Sequence, residues 1–245
     1  DIDNGRISYA HDGSSTTSDA VMLSVADLDG AATTLSFVVA IVPANIAPVL
    51  DSQVVQPLAS IDEDITAYSN LGTLVRDLIA GAVADQDDEG FGIAIESVVA
   101  LGGTWQYNLG QGAGWTDFPV EWTSPGTMLL LAADVLTAVR FCPSADYHHI
   151  TGQDDPSLTF RAWDRSNDGT GSRNGTLIVA AEYGGQTPYS SQTGNASIVV
   201  SSVNDAPTFG SGESINVDAD SGQHTVAWAT SILAGPVNEA GQNVW

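Results

Sequence analysis

The chain has 245 residues, with 30 acidic residues against 6 basic ones, all arginine, and a formal net charge of −24. This charge disfavours nucleic acid and anionic membranes as partners and favours cations. The one cysteine excludes an intrachain disulfide, and no apolar run of about 18 residues or more predicts membrane insertion.

The predicted elements are short strands separated by clusters of Gly, Asn, Asp and Ser. Apolar or alternating runs predict strands at residues 20–25, 34–42, 92–99, 104–109, 128–131, 138–141, 158–163, 176–179 and 195–201. Helical periodicity is confined to residues 72–79, enough for about one or two turns. We therefore predict an all-β fold of antiparallel, Ig-like sandwiches rather than alternating strands and helices.

Two stretches repeat one signal, an apolar strand that runs into Asn and then Ala-Pro. They are residues 43–48, PANIAP, and residues 202–207, SVNDAP. Proline removes a ladder donor and keeps the chain extended, so each stretch predicts the end of one domain and the start of the next. These boundaries divide the chain into residues 1–48, 49–207 and 208–245. We predict a complete sandwich in the middle, flanked by pieces with too few strands to bury a face on their own.

Carboxylates gather in short clusters near both boundaries. Residues 62–64 read Asp-Glu-Asp, and residues 85–88 and 218–220 hold alternating or paired acids. Two carboxylates about 4 Å apart repel by roughly 4 kcal/mol at an effective dielectric near 20. A hard divalent cation neutralises such a cluster through oxygen ligands, whereas a solvated acidic loop needs no ion. Both interpretations stay open for any single cluster.

Four strings in the middle piece resemble tandem cadherin-like repeats of large bacterial surface adhesins. They are residues 103–107, GTWQY; 129–132, LLLA; 139–147, VRFCPSADY; and 158–164, LTFRAWD. The first piece, through residues 5–13, GRISYAHDG, resembles the last half of a chondroitin-sulfate-proteoglycan-type repeat. The last piece, through residues 235–242, GPVNEAGQ, resembles the first strands of another repeat.

The resemblance implies calcium ions at each joint, held by a loop of the preceding domain, the linker and early loops of the following domain. For the first joint it implies Asp27, Asp29, Asn45, Asp62, Glu63, Asp64, Asp85 and Asp87. For the second joint it implies Asp164, Asp168, Asn204, Asp205, Asp218, Asp220 and Glu239. The first linker has Ile46 where the second has Asp205, so we expect the second joint to be the better equipped for calcium.

Enzymatic chemistry has no support in the sequence. No G-x-S-x-G elbow, phosphate-binding glycine loop or Cys/His metal spacing occurs. His148 and His149 are adjacent, so on an extended segment their side chains point in opposite directions and do not form a zinc pair. We expect no catalytic residues.

The sequence thus predicts a structural, calcium-rigidified extender segment of a secreted or cell-surface bacterial adhesin. Its partners would be neighbouring repeats of the same polypeptide or other copies. Two alternatives stay open. Trp115 and Trp122 favour a carbohydrate- or protein-binding module, whose partner is a cell-surface glycan or protein. The partial end pieces favour an extracellular filament in which copies complement one another.

Overall fold

The computed structural model describes residues 7–14, 16–87, 90–119, 125–150, 152–166 and 173–244. These ranges form strands, with one turn of α-helix and one turn of 3-10 helix, and the all-β prediction is confirmed. The elements are, in chain order, β1 Ser18–Ala26, β2 Ala32–Ala40, β3 Val49–Leu50, β4 Ile61–Asp62, β5 Thr73–Leu74, α1 Val75–Leu78, β6 Val83–Ala84, β7 Gly92–Val99, β8 Gly103–Asn108, β9 Thr116–Asp117, β10 Thr127–Ala132, β11 Ala138–Pro143, β12 Ser157–Trp163, β13 Leu177–Val179, β14 Gly194–Ser197, β15 Val200–Ser201, β16 Thr208–Ser211, β17 Ala229–Leu233 and the 3-10 helix Val237–Glu239.

The chain divides into two compact units, Asp1–Asn45 and Ile46–Trp245. The described part of the first unit contains an antiparallel ribbon of β1 and β2, in which Ala26 pairs with Ala32 beside the connecting turn. The Asp27 carboxylate closes that turn by accepting the N–H groups of Asp29 and Ala31. Asp is favoured in such turns because its side chain bonds backbone N–H groups a few residues further on.

The second unit contains two larger antiparallel sheets. One has five strands in the order β13-β10-β7-β12-β14, and the other has four in the order β5-β11-β8-β9. Their facing sides form the main core, which includes Trp105 and Phe141 from the four-stranded sheet and Leu131 and Phe160 from the five-stranded sheet. The strands separate the two ends of the unit, because a seven-residue strand such as β12 is about 20 Å long.

Strand β10 of the five-stranded sheet is buried on both faces. On its outer face Met128, Leu130, Trp163 and Tyr189 form a second apolar cluster. Every residue of β10 is therefore buried. A strand buried on both sides has a continuous apolar sequence instead of an alternating one, which explains the run of leucines in β10.

The strand predicted over residues 195–201 is interrupted. β14 pairs antiparallel with β12 in the five-stranded sheet, whereas β15 pairs in parallel with β4, so that Val200 lies opposite Ile61. The chain changes sheets between the two strands. This step brings the residues after β4 beside the segment that follows β15, and none of the local sequence patterns indicates it.

No helix in the described ranges has the length and apolar character that a membrane-crossing helix needs.

We predict that Leu131→Ala lowers the free energy of unfolding by about 2–5 kcal/mol, because it leaves a cavity in the main core. Leu131 is completely buried. Leu101→Ala is the matched control, since Leu101 is 45% exposed in the turn after β7, and its cost should stay below about 1 kcal/mol. Chemical denaturation of both variants measures the difference. Equal costs would contradict this description of the core.

Candidate metal centre

Glu63 lies at the end of the second unit where the chain leaves the sandwich through residues 202–207. We call residues 202–207 the linker and this end of the unit the exit end. The parallel pairing of β4 with β15 positions it, and its own N–H donates to the carbonyl of Ser201 at 2.9 Å. The residue is only 2% exposed. A buried carboxylate is costly unless it is paired or hydrogen-bonded, so its partners determine whether this position is stable.

The Glu63 carboxylate accepts hydrogen bonds from three separate segments. Oε1 accepts the backbone N–H of Val203 at 2.8 Å. The side-chain amide of Asn238 donates to Oε2 at 3.1 Å and lies 3.3 Å from Oε1. His148 Nδ1 is 3.3 Å from Oε2. One side chain thus connects the linker, the loop after β11 and the 3-10 helix near the end of the chain.

Glu239 makes the second connection at the exit end. It is 7% exposed and ends the 3-10 helix that begins at Val237. Its Oε1 accepts the backbone N–H of Asp205 at 2.9 Å and the amide of Gln242 at 3.2 Å. Gly235 leaves the space for this carboxylate, since a Cβ there would collide with Glu239 Oε2.

Three buried oxygen atoms at the exit end have no hydrogen-bond partner. They are Asp205 Oδ2, Asn238 Oδ1 and Glu239 Oε2. Unpaired buried polar atoms are rare in native proteins, and each needs an explanation such as strain, a bound water or a bound ion. Two carboxylates and an amide carbonyl are hard oxygen donors of the kind that bind calcium.

The electrostatic field at Asp205 also favours a cation. Partial desolvation and the nearby carboxylates of Asp64, Glu239, Asp146 and Glu63, in that order, raise the pKa of Asp205 above its ordinary value. A carboxyl group with a raised pKa is one whose charge is disfavoured in the folded protein. A bound cation would remove that penalty.

A polar cavity of about 270 Å³ adjoins these groups. Its lining includes His148, Asn204, Asn238 and Glu239. In the described ranges no set of three or more His, Cys, Asp or Glu side chains has the arrangement of a metal site. The donor set at the exit end therefore depends on an amide as well as on carboxylates.

A second acidic group lies at the opposite end of the unit, called the entry end, where Ile46 begins it. Asp85 Oδ1 accepts the N–H of Asp87 at 3.0 Å, and Asp87 Oδ2 accepts the N–H of Ile46 at 2.7 Å. Asp85 Oδ2 is buried without a hydrogen-bond partner. Asp164 is fully buried directly after β12, and its N–H donates to the carbonyl of Pro188.

The structure redistributes several residues between the two ends. The resemblance implies Glu63 at the first joint, but Glu63 contacts Val203 in the second linker. It implies Asp164 at the second joint, but Asp164 follows Trp163, which pairs with Gly92 at the entry end. The structure thus places each of these residues at the end opposite to the expected one, because strands carry successive loops of one domain to alternate ends. Their role as calcium ligands stays a prediction.

Two predicted pairs lie in the connections within the two ribbons. Asp27 and Asp29 are in the β1–β2 turn, and the nine-residue β2, about 26 Å long, separates them from the Asn45 end of the ribbon. Asp218 and Asp220 lie in the connection between β16 and β17 and are exposed.

The other predicted residues have simpler positions. Asp62 and Asp64 flank Glu63 and are exposed, and Asn204 is an exposed linker residue whose amide donates to the carbonyl of Asp205. Asn45 ends the first unit. Asp168 lies outside the described residues.

Sequence reasoning missed Asn238, Asp146 and His148. Asn238 precedes Glu239, so its position was the one available signal. Asp146 adopts a left-handed backbone conformation with φ of 60°, which non-glycine residues adopt infrequently, and nothing in its local sequence connects it with the linker. His149 contacts Asp155, not the Glu63 side chain that His148 contacts.

One face of the Trp115 ring is covered by an arginine. The guanidinium of Arg140 lies 4.1 Å from the centre of that ring, so only the other face could stack against a ligand. Arg140 is itself 6% exposed and donates to the carbonyls of Ala67 and Asn70. Trp122 lies outside the described residues.

Comparisons of the chain with protein-family models, with curated proteins and with solved structures give no match.

We predict that Glu63→Ala destabilises the second unit by about 3 kcal/mol, because it leaves buried donors of the linker and of Asn238 without their charged acceptor. Amide hydrogen exchange should accelerate at Val203 in particular. The matched control is Asp62→Ala at the exposed neighbouring position, which should change stability by no more than about 0.5 kcal/mol. If Val203 remains equally protected in both variants, Glu63 does not fasten the linker.

Proposed function

We propose that this chain is a structural segment of a secreted or cell-surface adhesin in which calcium holds successive β-sandwich units in line. The resemblance to cadherin-like repeats motivates the proposal, and the chemistry of the exit end supports it. The chain would act as a spacer, with neighbouring repeats of the same polypeptide or other copies as its partners.

The observation that carries the proposal is the set of buried oxygens without partners on Asp205, Asn238 and Glu239. Asp205 belongs to the linker, and the other two belong to the 3-10 helix more than thirty residues later. No described arginine forms an ion pair with these carboxylates; Arg76, for example, pairs with Asp77, and Arg161 pairs with Glu96. A cation from solution would give these oxygens the partner that they lack.

Calcium suits this donor set better than the other common cations. It accepts six to eight oxygens from carboxylates, amides and main-chain carbonyls, and its coordination geometry is flexible, so separate segments can share one ion. Magnesium demands near-octahedral geometry and keeps its water, and zinc prefers nitrogen and sulfur ligands.

An ion at this position would stiffen the attachment of the linker to the sandwich, to which the Glu63 hydrogen bonds already contribute. It would join Asp205 in the linker to Asn238 and Glu239, and Asn238 already donates to Glu63 in the body of the sandwich. The linker would then be held from both sides. Without the ion, repulsion among the carboxylates favours a more open linker, which is the physical basis of a calcium-dependent spacer.

We predict that calcium raises the melting temperature of the intact chain and protects residues 203–207 from proteolysis. An ion that binds only the folded state adds RT ln(1 + [L]/Kd), about 2.7 kcal/mol at a hundredfold excess over Kd. Differential scanning calorimetry with calcium, with magnesium and with a chelator measures the effect. An equal response to calcium and magnesium, or no response to either, would refute the proposal.

We predict that Asp205→Asn raises the melting temperature in chelator and lowers it in calcium. In chelator it should raise the melting temperature, because it removes a charge that Asp64, Glu239, Asp146 and Glu63 disfavour. In calcium it should lower the melting temperature relative to the unaltered chain and weaken calcium binding by about tenfold, or 1.4 kcal/mol.

Asp154→Asn is the control for this inversion, since it removes one carboxylate from an exposed loop. Asp154→Asn should not change the calcium affinity, which isothermal titration calorimetry measures. It should also not shift the melting temperature in opposite directions in chelator and in calcium. A loss of stability in both conditions for Asp205→Asn would assign Asp205 a purely structural role.

A further inference from the structure

A cavity of about 210 Å³ lies in the second unit, between the segment that contains β4 and the turn that leads into β5. β5 is an edge strand of the four-stranded sheet, so the cavity lies at that edge of the sandwich. We call it the β4–β5 cavity; its lining includes residues 58, 59, 61 and 65 of the first segment, residues 69–73 of the second, and Val139, Arg140, Phe141 and Ile198. None of these residues belongs to the candidate metal centre.

The walls of the β4–β5 cavity are mostly apolar. Leu58, Phe141 and Ile198 are buried members of the main core. Leu71 is 79% exposed, so the lining extends from the main core to the surface. Small-molecule sites have this form, a mostly apolar concavity with a few well-placed polar groups. Drug-sized ligands occupy about 300–1,000 Å³, so a cavity of this volume suits a smaller molecule.

The charged group of this cavity is the buried guanidinium of Arg140. Its Nη1 donates to the carbonyls of Ala67 and Asn70, both at 2.9 Å, and its Nε donates to Gln106 Oε1 at 2.8 Å. In the described part of the chain, no oxygen acceptor bonds to Nη2 and no carboxylate forms an ion pair with this guanidinium. Asp117 bonds to the amide of Gln106 instead. A buried charge is costly unless it is paired, and here the protein supplies no direct counter-ion.

The packing around Arg140 fixes the orientation of its guanidinium. The Trp115 ring stacks on one face of the group, with 4.1 Å between the guanidinium carbon and the ring centre. A Cβ at Gly72 would lie 2.7 Å from the Trp115 ring and 2.5 Å from the carbonyl oxygen of Val139, so only glycine allows this close approach. A guanidinium binds carboxylates through the N–H groups at its edge, in its own plane. The stacked arrangement leaves that edge available for a ligand.

We propose that the β4–β5 cavity binds a small carboxylate that carries a branched apolar body. The Arg140 guanidinium pairs with the carboxylate, and Ile61, Ile65 and Ile198 contact the apolar body. A charge-assisted pair of this kind is strong when it is shielded from water. The inference goes beyond the proposed function and does not depend on calcium.

The apolar body is an essential part of the ligand. The net charge of −24 repels anions at long range, so a simple inorganic anion gains little by approaching Arg140. Each CH₂ group that the cavity removes from water raises the affinity about fourfold. Apolar contact therefore offsets the repulsion, and it selects a carboxylate with a hydrocarbon chain over acetate or chloride.

Three probes separate the charge of the ligand from its apolar body. Isovalerate has both, isovaleramide has the same shape without the charge, and acetate has the charge with a single methyl group. Methyl NMR on isotope-labelled isoleucines reports occupancy in the unaltered chain. Isovalerate should shift the signals of Ile61, Ile65 and Ile198 along one saturable curve, while those of the core residues Ile93 and Ile95 stay in place. Isovaleramide and acetate should each bind at least about tenfold more weakly.

Two variants locate the site. Arg140→Gln should weaken isovalerate binding about ten- to hundredfold and isovaleramide binding much less. Ala59→Trp fills the cavity from an exposed lining position and should abolish isovalerate binding with Arg140 unchanged. Ala80→Trp is the matched control, because Ala80 is exposed outside the lining; it should bind isovalerate like the unaltered chain. Thermal unfolding shows whether each variant folds, and Ala59→Trp with the three probes decides the question if Arg140→Gln does not.

Three results would each overturn the proposal. The first is that isovalerate leaves the signals of Ile61, Ile65 and Ile198 unmoved. The second is that isovaleramide or acetate binds as tightly as isovalerate. The third is that Ala59→Trp binds isovalerate as well as the Ala80→Trp control does. All of these titrations are made without calcium, so their outcome is independent of the proposed spacer function.

Discussion

The burial of a single carboxylate, that of Glu63, determines how the exit end of this protein is built. Removing its charge from water is tolerable because N–H donors from Val203, Asn238 and His148 surround it. Each donor comes from a different segment of the chain. The linker, the loop after β11 and the 3-10 helix near the C-terminus must therefore all be in place before Glu63 is satisfied, which makes the joint cooperative with the folding of the sandwich.

Glu63 is surrounded by donors, whereas no ion pair of a described arginine reaches Asp205 or Glu239. Glu239 Oε1 accepts the backbone N–H of Asp205, whereas Glu239 Oε2 and Asp205 Oδ2 are buried without a hydrogen-bond partner. This division separates two roles that a cluster of acids can have. Glu63 fastens the segments together, while Asp205, Asn238 and Glu239 offer free oxygens. A calcium ion would bind these free oxygens without disturbing the hydrogen bonds of Glu63. The stiffness of the linker would then depend on the ion, whereas the fold of the sandwich would not.

The apolar side chains also differ along the chain in how completely they are buried. Strand β10 of the five-stranded sheet is buried on both faces, one toward the four-stranded sheet and one in the cluster around Tyr189. Large apolar side chains remain exposed outside these clusters, both in the ribbon β1–β2, where Leu35 is 70% exposed, and in the second unit, where Leu71 is 79% exposed.

Local sequence determined the strands, the near absence of helix and the positions of the two Ala-Pro stretches, because strand alternation and proline act over a few residues. The resemblance to a known family, not local pattern, placed Asp205, Glu239, Asp85 and Asp87 at the joints. Only the tertiary structure decided which acids share an end. The parallel pairing of β4 with β15 carries Glu63 to the exit, the length of β12 places Asp164 at the entry, and the β1–β2 ribbon separates Asp27 from Asn45. Sequence distance cannot report these positions, since a strand moves the chain by about 3.3 Å per residue and each turn reverses its direction.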